Sequence, residues 1–214
     1  NCTGLTNVVV PKTVKTLGAY AFSNCTSLKS ATISDGVGSI GADVFDKCTA
    51  IESITLPYAG DTLENVNQED SRIYVISRLF DNKVIDKTYG AVCNGLTSYI
   101  PNSLKKITIT GGTRIPTDAF NGFKSLTEIN LPDTITSIGD NAFEGCGSLS
   151  ALPNIKNVKT IGSYAFANCK SLESVTIPSA TDVLGNYAFS NCTSLKTATI
   201  SDGVGSIGAD VFDK

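Results

Sequence analysis
Seven cysteines and no histidine bound the chemistry open to this 214-residue chain. Cys2, Cys25, Cys48, Cys146, Cys169 and Cys192 share one spacing phase, and Cys93 stands outside it. Thiolates can ligate a metal, close disulfides or attack a substrate. No C-x-x-C pair occurs, so a zinc site would need Cys or carboxylates alone. Without His, neither a Ser-His nor a Cys-His nucleophile pair can form. The shared phase falls three residues after Phe, and in the stretch of Phe120 that place is Phe123. A position that takes Cys or Phe is interior and apolar, where a free thiol acts as a small hydrophobe. Copies about 5 Å apart come within disulfide Cα range, but parallel side chains give poor geometry. A ladder of free buried cysteines is the expectation, with a disulfide or metal role as the alternative. Cys93 is the expected reactive thiol.

Two further patterns could carry chemistry. Gly36-Val-Gly38-Ser-Ile-Gly41 fits G-x-G-x-x-G, and Gly203, Gly205 and Gly208 repeat it. A dinucleotide site needs that motif between a strand and a full helix. The same place elsewhere reads Asp133-Thr-Ile-Thr-Ser-Ile-Gly139, so these glycines read as corners. The 20 acidic residues fall in no spacing that marks a catalytic pair, and a solvated surface explains them. Asn1-Cys2-Thr3, Asn24-Cys25-Thr26 and Asn191-Cys192-Thr193 are glycosylation sequons, relevant only in a eukaryotic secretory source.

The elements holding these residues repeat. Phe120, Phe143, Phe166, Phe189 and Phe212 stand 23 residues apart, and Phe22 and Phe45 keep the same beat. An Ile/Leu-Gly pair and an L-x-x-I-x-I run recur with them. That period marks a leucine-rich-repeat solenoid. I-x-I alternation with β-branched side chains predicts a short strand, closed by Pro11, Pro57, Pro132 or Pro178. V-x-x-I-G predicts a second extended segment. G-D-N-A-F-E-G-C predicts a tight or short helical turn, with Asp or Asn as its cap. First strands then stack into a parallel sheet. One turn cannot bury its interior alone, so neighbours must cover it.

The expected architecture is one solenoid over residues 1–214, of about nine turns. Residues 1–56 and 104–214 are regular, and 57–103 are irregular turns or an insertion. Six residues beyond three regular steps separate Phe45 from Phe120. Ile73-Tyr74-Val75-Ile76 reads as one arm of a protruding hairpin. Pro153-Asn154 breaks the pattern, with Ile155 taking the interior place through a bulge. Residues 23–47 match 190–214 except at Ser30, which is Thr197 there. A duplicated block follows, and the natural array is expected to be longer. Asn1 is no initiator Met, and no charged-then-apolar leader precedes the repeats, so a mature product or an excised piece is expected.

Charged residues make up 17% of the chain with a net charge of -3, which excludes clustered basic binding of nucleic acid. No apolar run of membrane-spanning length occurs, so no membrane insertion is expected. Thr32, Thr55, Thr108, Thr176 and Thr199 fall in one outward column of the predicted sheet, with Val9 and Asn130 in equivalent places. β-Propensity alone explains any single Thr; together they form a long flat strip suited to protein or glycan contact. Tyr58, Tyr74, Tyr89 and Tyr99, with Arg72 and Arg78, concentrate in the irregular section, and because aromatics are enriched at hot spots, residues 57–103 are the expected leading contact site.

The motif L-x-x-I-x-I-P…V-x-x-I-G-x-x-A-F-x-x-C resembles the treponemal-type leucine-rich repeats of the BspA-like surface protein family. The resemblance covers residues 1–56 and 104–214 turn by turn, and residues 98–112 look like the family's irregular repeat preceding a regular one. It implies a cell-surface or extracellular protein of mucosal bacteria or protists, associated with adhesion to host matrix proteins, epithelium or other microbes. It transfers no binding residue, and no cofactor is expected. The leading expectation is a non-enzymatic adhesion or protein-binding array. The alternative is a structural protein whose neighbouring copies join end to end into fibres. An enzyme with a carboxylate-lined pocket comes third.

Overall fold
The computed structural model describes residues 1–59, 76, 79–80, 90–93 and 96–214. Among the described residues, sixteen short strands carry the fold. In chain order, β1 (Asn7–Val10), β2 (Thr16–Leu17), β3 (Ser30–Ile33), β4 (Ser39–Ile40) and β5 (Ser53–Leu56) open it. β6 (Gly90–Cys93) and β7 (Leu96–Tyr99) follow. Then come β8 (Lys106–Ile109), β9 (Arg114–Ile115), β10 (Glu128–Asn130), β11 (Ser137–Ile138) and β12 (Thr160–Ile161). β13 (Ser174–Ile177), β14 (Val183–Leu184), β15 (Thr197–Ile200) and β16 (Ser206–Ile207) complete the set.

The longer strands stack in parallel as β1-β3-β5-β8-β10 and again as β13-β15. The two-residue strands stack on a second face as β2-β4 and as β9-β11-β12-β14-β16. Register is strict: Ala31, Ile54, Ile107 and Ile129 are Cα partners in series and all buried. One apolar cluster runs from Val10 to Val211. The chain is therefore a leucine-rich-repeat solenoid built of parallel β-structure. Among the described residues only Ile76 is helical.

Seven strands on the first face and seven on the second make about seven turns, not about nine. The reason lies in the irregular section. β5 pairs directly with β8, Ser53 opposite Lys106 and Leu56 opposite Ile109. A step of 53 residues thus separates adjacent strands, where 23 is the rule. The Phe45 N–H reaches the Leu79 carbonyl at 2.7 Å, and the Phe45 and Phe80 rings lie 6.4 Å apart. Phe80 therefore fills the column between Phe45 and Phe120. The section is one enlarged turn rather than three turns with six residues to spare. Its hairpin is β6–β7, the antiparallel pair. Ile76 is buried, so it is no protruding arm; Ile73, Tyr74 and Val75 lie outside the described residues.

The turn after β10 also departs from its expected form. Pro153 and Ile155 are buried and Asn154 is exposed, with no strand over these residues. Ile155 does take an interior place, but there is no strand to bulge. The first-face sheet splits there.

Two corners explain the repeat's fixed residues. After the second-face strand, an added Cβ on Gly162 would lie 2.6 Å from the Asp140 nitrogen and from the Gly139 carbonyl carbon. Gly41, Gly139, Gly185 and Gly208 meet the preceding turn as closely. Glycine is required there by close approach, since no side chain fits between stacked backbones. At the Phe corner, Asp43, Asp118, Asn141 and Asp210 hold φ between 51° and 56°. The expected caps are thus left-handed corners, a conformation Asp and Asn tolerate best.

Hydrogen bonds between turns run one way at each corner. The N–H groups of Asn141, Phe143 and Gly145 donate forward to Ser163, Ala165 and Ala167. Gly139, Gly162 and Gly185 donate backward to Ile115, Ile138 and Ile161. Between these ladders the rings of Phe120, Phe143, Phe166 and Phe189 stack 4.9–5.3 Å apart within 7° of parallel.

Gly18 occupies the same column as Gly162 but meets nothing within 4 Å. Gly162→Ala is expected to cost about 2 kcal/mol or more and Gly18→Ala less than about 0.5 kcal/mol, read by urea unfolding. Equal costs would contradict the close-approach argument. Phe143→Asp places an unpaired carboxylate between two stacked rings; its thermal unfolding is expected to show loss of both adjacent turns, and an unchanged melt refutes the ladder.

Candidate functional site
Alternation along the first-face strands sends Ala31 and Ile33 inward and Ser30 and Thr32 outward. Thr32 pairs with Thr55, and Thr55 with Thr108. Val9 extends the column at one side, 68% exposed, and Asn130 at the other. Asn130 Nδ2 donates to Thr108 Oγ1 at 3.4 Å and to Glu128 Oε1 at 2.9 Å. Thr176 and Thr199 pair in the separate β13–β15 sheet. The expected single strip is therefore two strips, because buried Pro153 replaces the strand between Asn130 and Thr176.

Charges beside the strip neutralise one another across successive turns. Lys106 meets Glu128 at 2.7 Å, Lys196 meets Glu173 at 3.0 Å and Lys29 meets Glu52 at 3.9 Å. The hydrogen bond from Lys106 holds the Glu128 carboxyl below its usual range. All three pairs are exposed and add little stability, but they leave the Thr column without a dominant sign.

The aromatic expectations come out differently. Tyr58 is fully buried behind Pro57 and belongs to the core, so it offers no contact surface. Arg72, Tyr74, Arg78 and Tyr89 lie outside the described residues. Tyr99 ends β7, and its side chain lies outside them as well. Sequence reasoning missed an aromatic pair, exposed Tyr164 and half-buried Tyr187, whose rings stack 4.9 Å apart at 11°. Both hold left-handed φ, 55° and 56°, as Tyr20 does at 59°, in the column where the remaining turns place Asp or Asn. Bulky residues seldom adopt that conformation. The signal was there: Tyr in a column otherwise suited to left-handed backbone. Asp210 accepts the Tyr187 hydroxyl's hydrogen bond and raises that phenol's pKa.

A groove of about 290 Å³ opens on the second face. Arg114, Thr117, Ser137, Gly139, Asp140 and Thr160 line it, with Ile138 and Gly162. Arg114 begins β9, the edge strand of that sheet. Its Nε is buried without a hydrogen-bond partner. Asp140 Oδ1 accepts from the Ser163 N–H at 2.7 Å.

The repeat can now be matched to known proteins. A model of the BspA type leucine rich repeat region matches residues 1–88 and 93–214 in six copies. The chain belongs to this family. No curated protein matches it. Among solved structures, it is similar to the Treponema pallidum leucine rich repeat protein TpLRR, with 24% identity and a TM-score of 0.48. That likeness covers 97% of this chain and 75% of TpLRR. A Bacteroides ovatus leucine-rich repeat protein shares 22% identity at a TM-score of 0.48, over 97% of this chain and 58% of its own. The pneumococcal vaccine antigen PcpA shares 19% identity at a TM-score of 0.46, over 96% of this chain and 54% of its own.

In this BspA-type chain the cysteine phase is structural. Cys25, Cys48, Cys146, Cys169 and Cys192 are free and buried, and Cys2 is free and exposed. Each deep thiol reaches the Phe carbonyl of the preceding turn: Cys146 Sγ to Phe120 at 3.2 Å, Cys169 Sγ to Phe143 at 3.3 Å, Cys192 Sγ to Phe166 at 3.2 Å. Phe123 takes this place in its own turn, edge-on to Phe120. Burial pushes Cys146 up to about 12 and Cys48 and Cys192 to about 11, from 9.0. Among the described residues no group of His, Cys, Asp or Glu is arranged to hold a metal ion. Cys93 lies in β6, where side chains are outside the description.

Raised thiol pKa values mean that the folded state disfavours thiolate. The stability this contributes is complete below the unfolded thiol value and is lost as pH rises from 9.0 through about 11 and 12. The melting temperature is therefore expected to fall across that range, and to fall less in Cys146→Ala. At pH 8, iodoacetamide is expected to label Cys2 and spare Cys146, Cys169 and Cys192 until guanidinium unfolds the chain. Rapid native labelling of those three would contradict the buried ladder.

Proposed function
We propose that this chain is a non-enzymatic, protein-binding array of the adhesion type, working outside the cell or at its surface on host or microbial surface proteins. The observation that carries this reading is the strip formed by Val9, Thr32, Thr55, Thr108 and Asn130. Five strands hold it in register, and the charges beside it are paired. Rigid strands fix outward side chains before any partner arrives, which lowers the entropic cost of binding. A sheet without a dominant charge suits a flat protein surface better than a small molecule. Membership of the BspA-type family supports the same reading. No helix among the described residues is long and apolar enough to cross a membrane. Thr176 and Thr199 form a second, smaller contact patch. Arg72, Tyr74, Arg78, Tyr89 and Tyr99 are further proposed contact residues, on their residue types alone.

The test is surface plasmon resonance of the purified chain over immobilised matrix glycoproteins and epithelial surface proteins. Saturable binding to at least one is expected. On that partner, Thr32→Lys/Thr55→Lys/Thr108→Lys is expected to bind about tenfold more weakly or worse, with its melting temperature kept. Undiminished binding by the triple variant would remove the strip from the reading. No saturable binding to any immobilised protein, together with filaments of the chain alone in electron micrographs, would instead identify a self-assembling structural protein.

A further inference from the structure
We propose that the groove at Arg114 binds an acidic sugar, a pyranose ring carrying a carboxylate. The site lies on the second face and does not depend on the Thr strip or on a protein partner.

Arg114 is the exception in its column. Its register partners along the sheet are Ser137, Thr160, Val183 and Ser206, and the equivalent places in β2 and β4 are Thr16 and Ser39. The guanidinium is half-buried and forms no ion pair or hydrogen bond among the described residues. Its Nε is covered by protein, so part of its hydration is already lost. An incoming carboxylate would meet a charge that water screens weakly, in the planar fork that suits bidentate pairing. Asp140 lines the same groove, and no ion pair joins it to Arg114.

The remaining lining suits ligand hydroxyls. Thr117, Ser137 and Thr160 each present an O–H that can donate and accept. Asp140 Oδ1 is engaged by Ser163, which leaves Oδ2 to accept from a ligand hydroxyl. Gly139 and Gly162 line the groove with backbone. The volume, about 290 Å³, is at the lower end of small-ligand sites, about 300 Å³. Asp140 repels a dianion such as a phosphate ester more strongly than a single carboxylate.

Titration followed by amide NMR compares methyl glucuronide with methyl glucoside, which differ at the carboxylate. Saturable shifts near Ser137, Asp140 and Thr160 are expected with the glucuronide at millimolar concentration, about tenfold weaker or absent with the glucoside. Arg114→Gln is expected to abolish that difference. Asp140→Asn is expected to weaken both sugars, and Thr32→Lys/Thr55→Lys/Thr108→Lys to change neither. Retained amide spectra show that the variants are folded. Equal binding of the two sugars overturns the proposal, as does equal binding of acetate, tighter binding of a capped Glu-Glu peptide, or wild-type glucuronide affinity in Arg114→Gln. Loss of protein binding by the Thr variant with sugar binding intact shows that the two sites are separate.

Discussion
Successive turns must come within one backbone hydrogen bond of each other, about 4.8 Å in parallel β-structure. Every recurrent residue answers that constraint. Phe rings survive it by stacking flat, and glycine survives it by having no side chain to collide. Cysteine answers it with a side chain small enough to lie inside and a thiol able to reach the carbonyl below. Phe123 is the larger residue that takes the thiol's place in one turn, edge-on to Phe120. A single turn has no core of its own, so each such choice is enforced from both sides.

The enlarged turn shows how much the ladder tolerates. Thirty residues beyond the usual step leave β5 and β8 paired in the register seen elsewhere. Loop closure grows only slowly more costly with length, whereas a slip in register would turn Ile107 and Ile109 outward. The chain therefore keeps the register and lets the insertion accumulate at one place. The same logic applies after β10, where Ile155 keeps apolar bulk inside and the strand is given up.

Most of the fold could be read from the sequence because a 23-residue beat repeats the same physical demand. Ile138, Phe143 and Cys146 are legible as core since their equivalents vary only among apolar residues. What failed was counting through residues 57–103. Dividing the distance between Phe45 and Phe120 by the period assumes that every step is 23 residues, and Phe80 stands at no multiple of it. Tyr58 misled for a related reason: aromatic content does not distinguish a contact from a core ring. Tyr164, Tyr187 and Arg114 were passed over because each looks like ordinary surface until its column is compared turn by turn. Their departures become visible once backbone angle and hydrogen-bond partners are known.

The opposed hydrogen-bond ladders have an electrical consequence. Each peptide group carries a dipole of about 3.5 D, and at the Phe corner these point their N–H ends toward later turns. At the Gly corner they point toward earlier ones. The two columns grow together as turns are added, so their axial moments offset each other. An α-helix of similar length would gather charge at its ends; this solenoid can lengthen with little axial polarity. Its surface potential is then left to the side chains on each face, which can vary from turn to turn without working against a field from the scaffold.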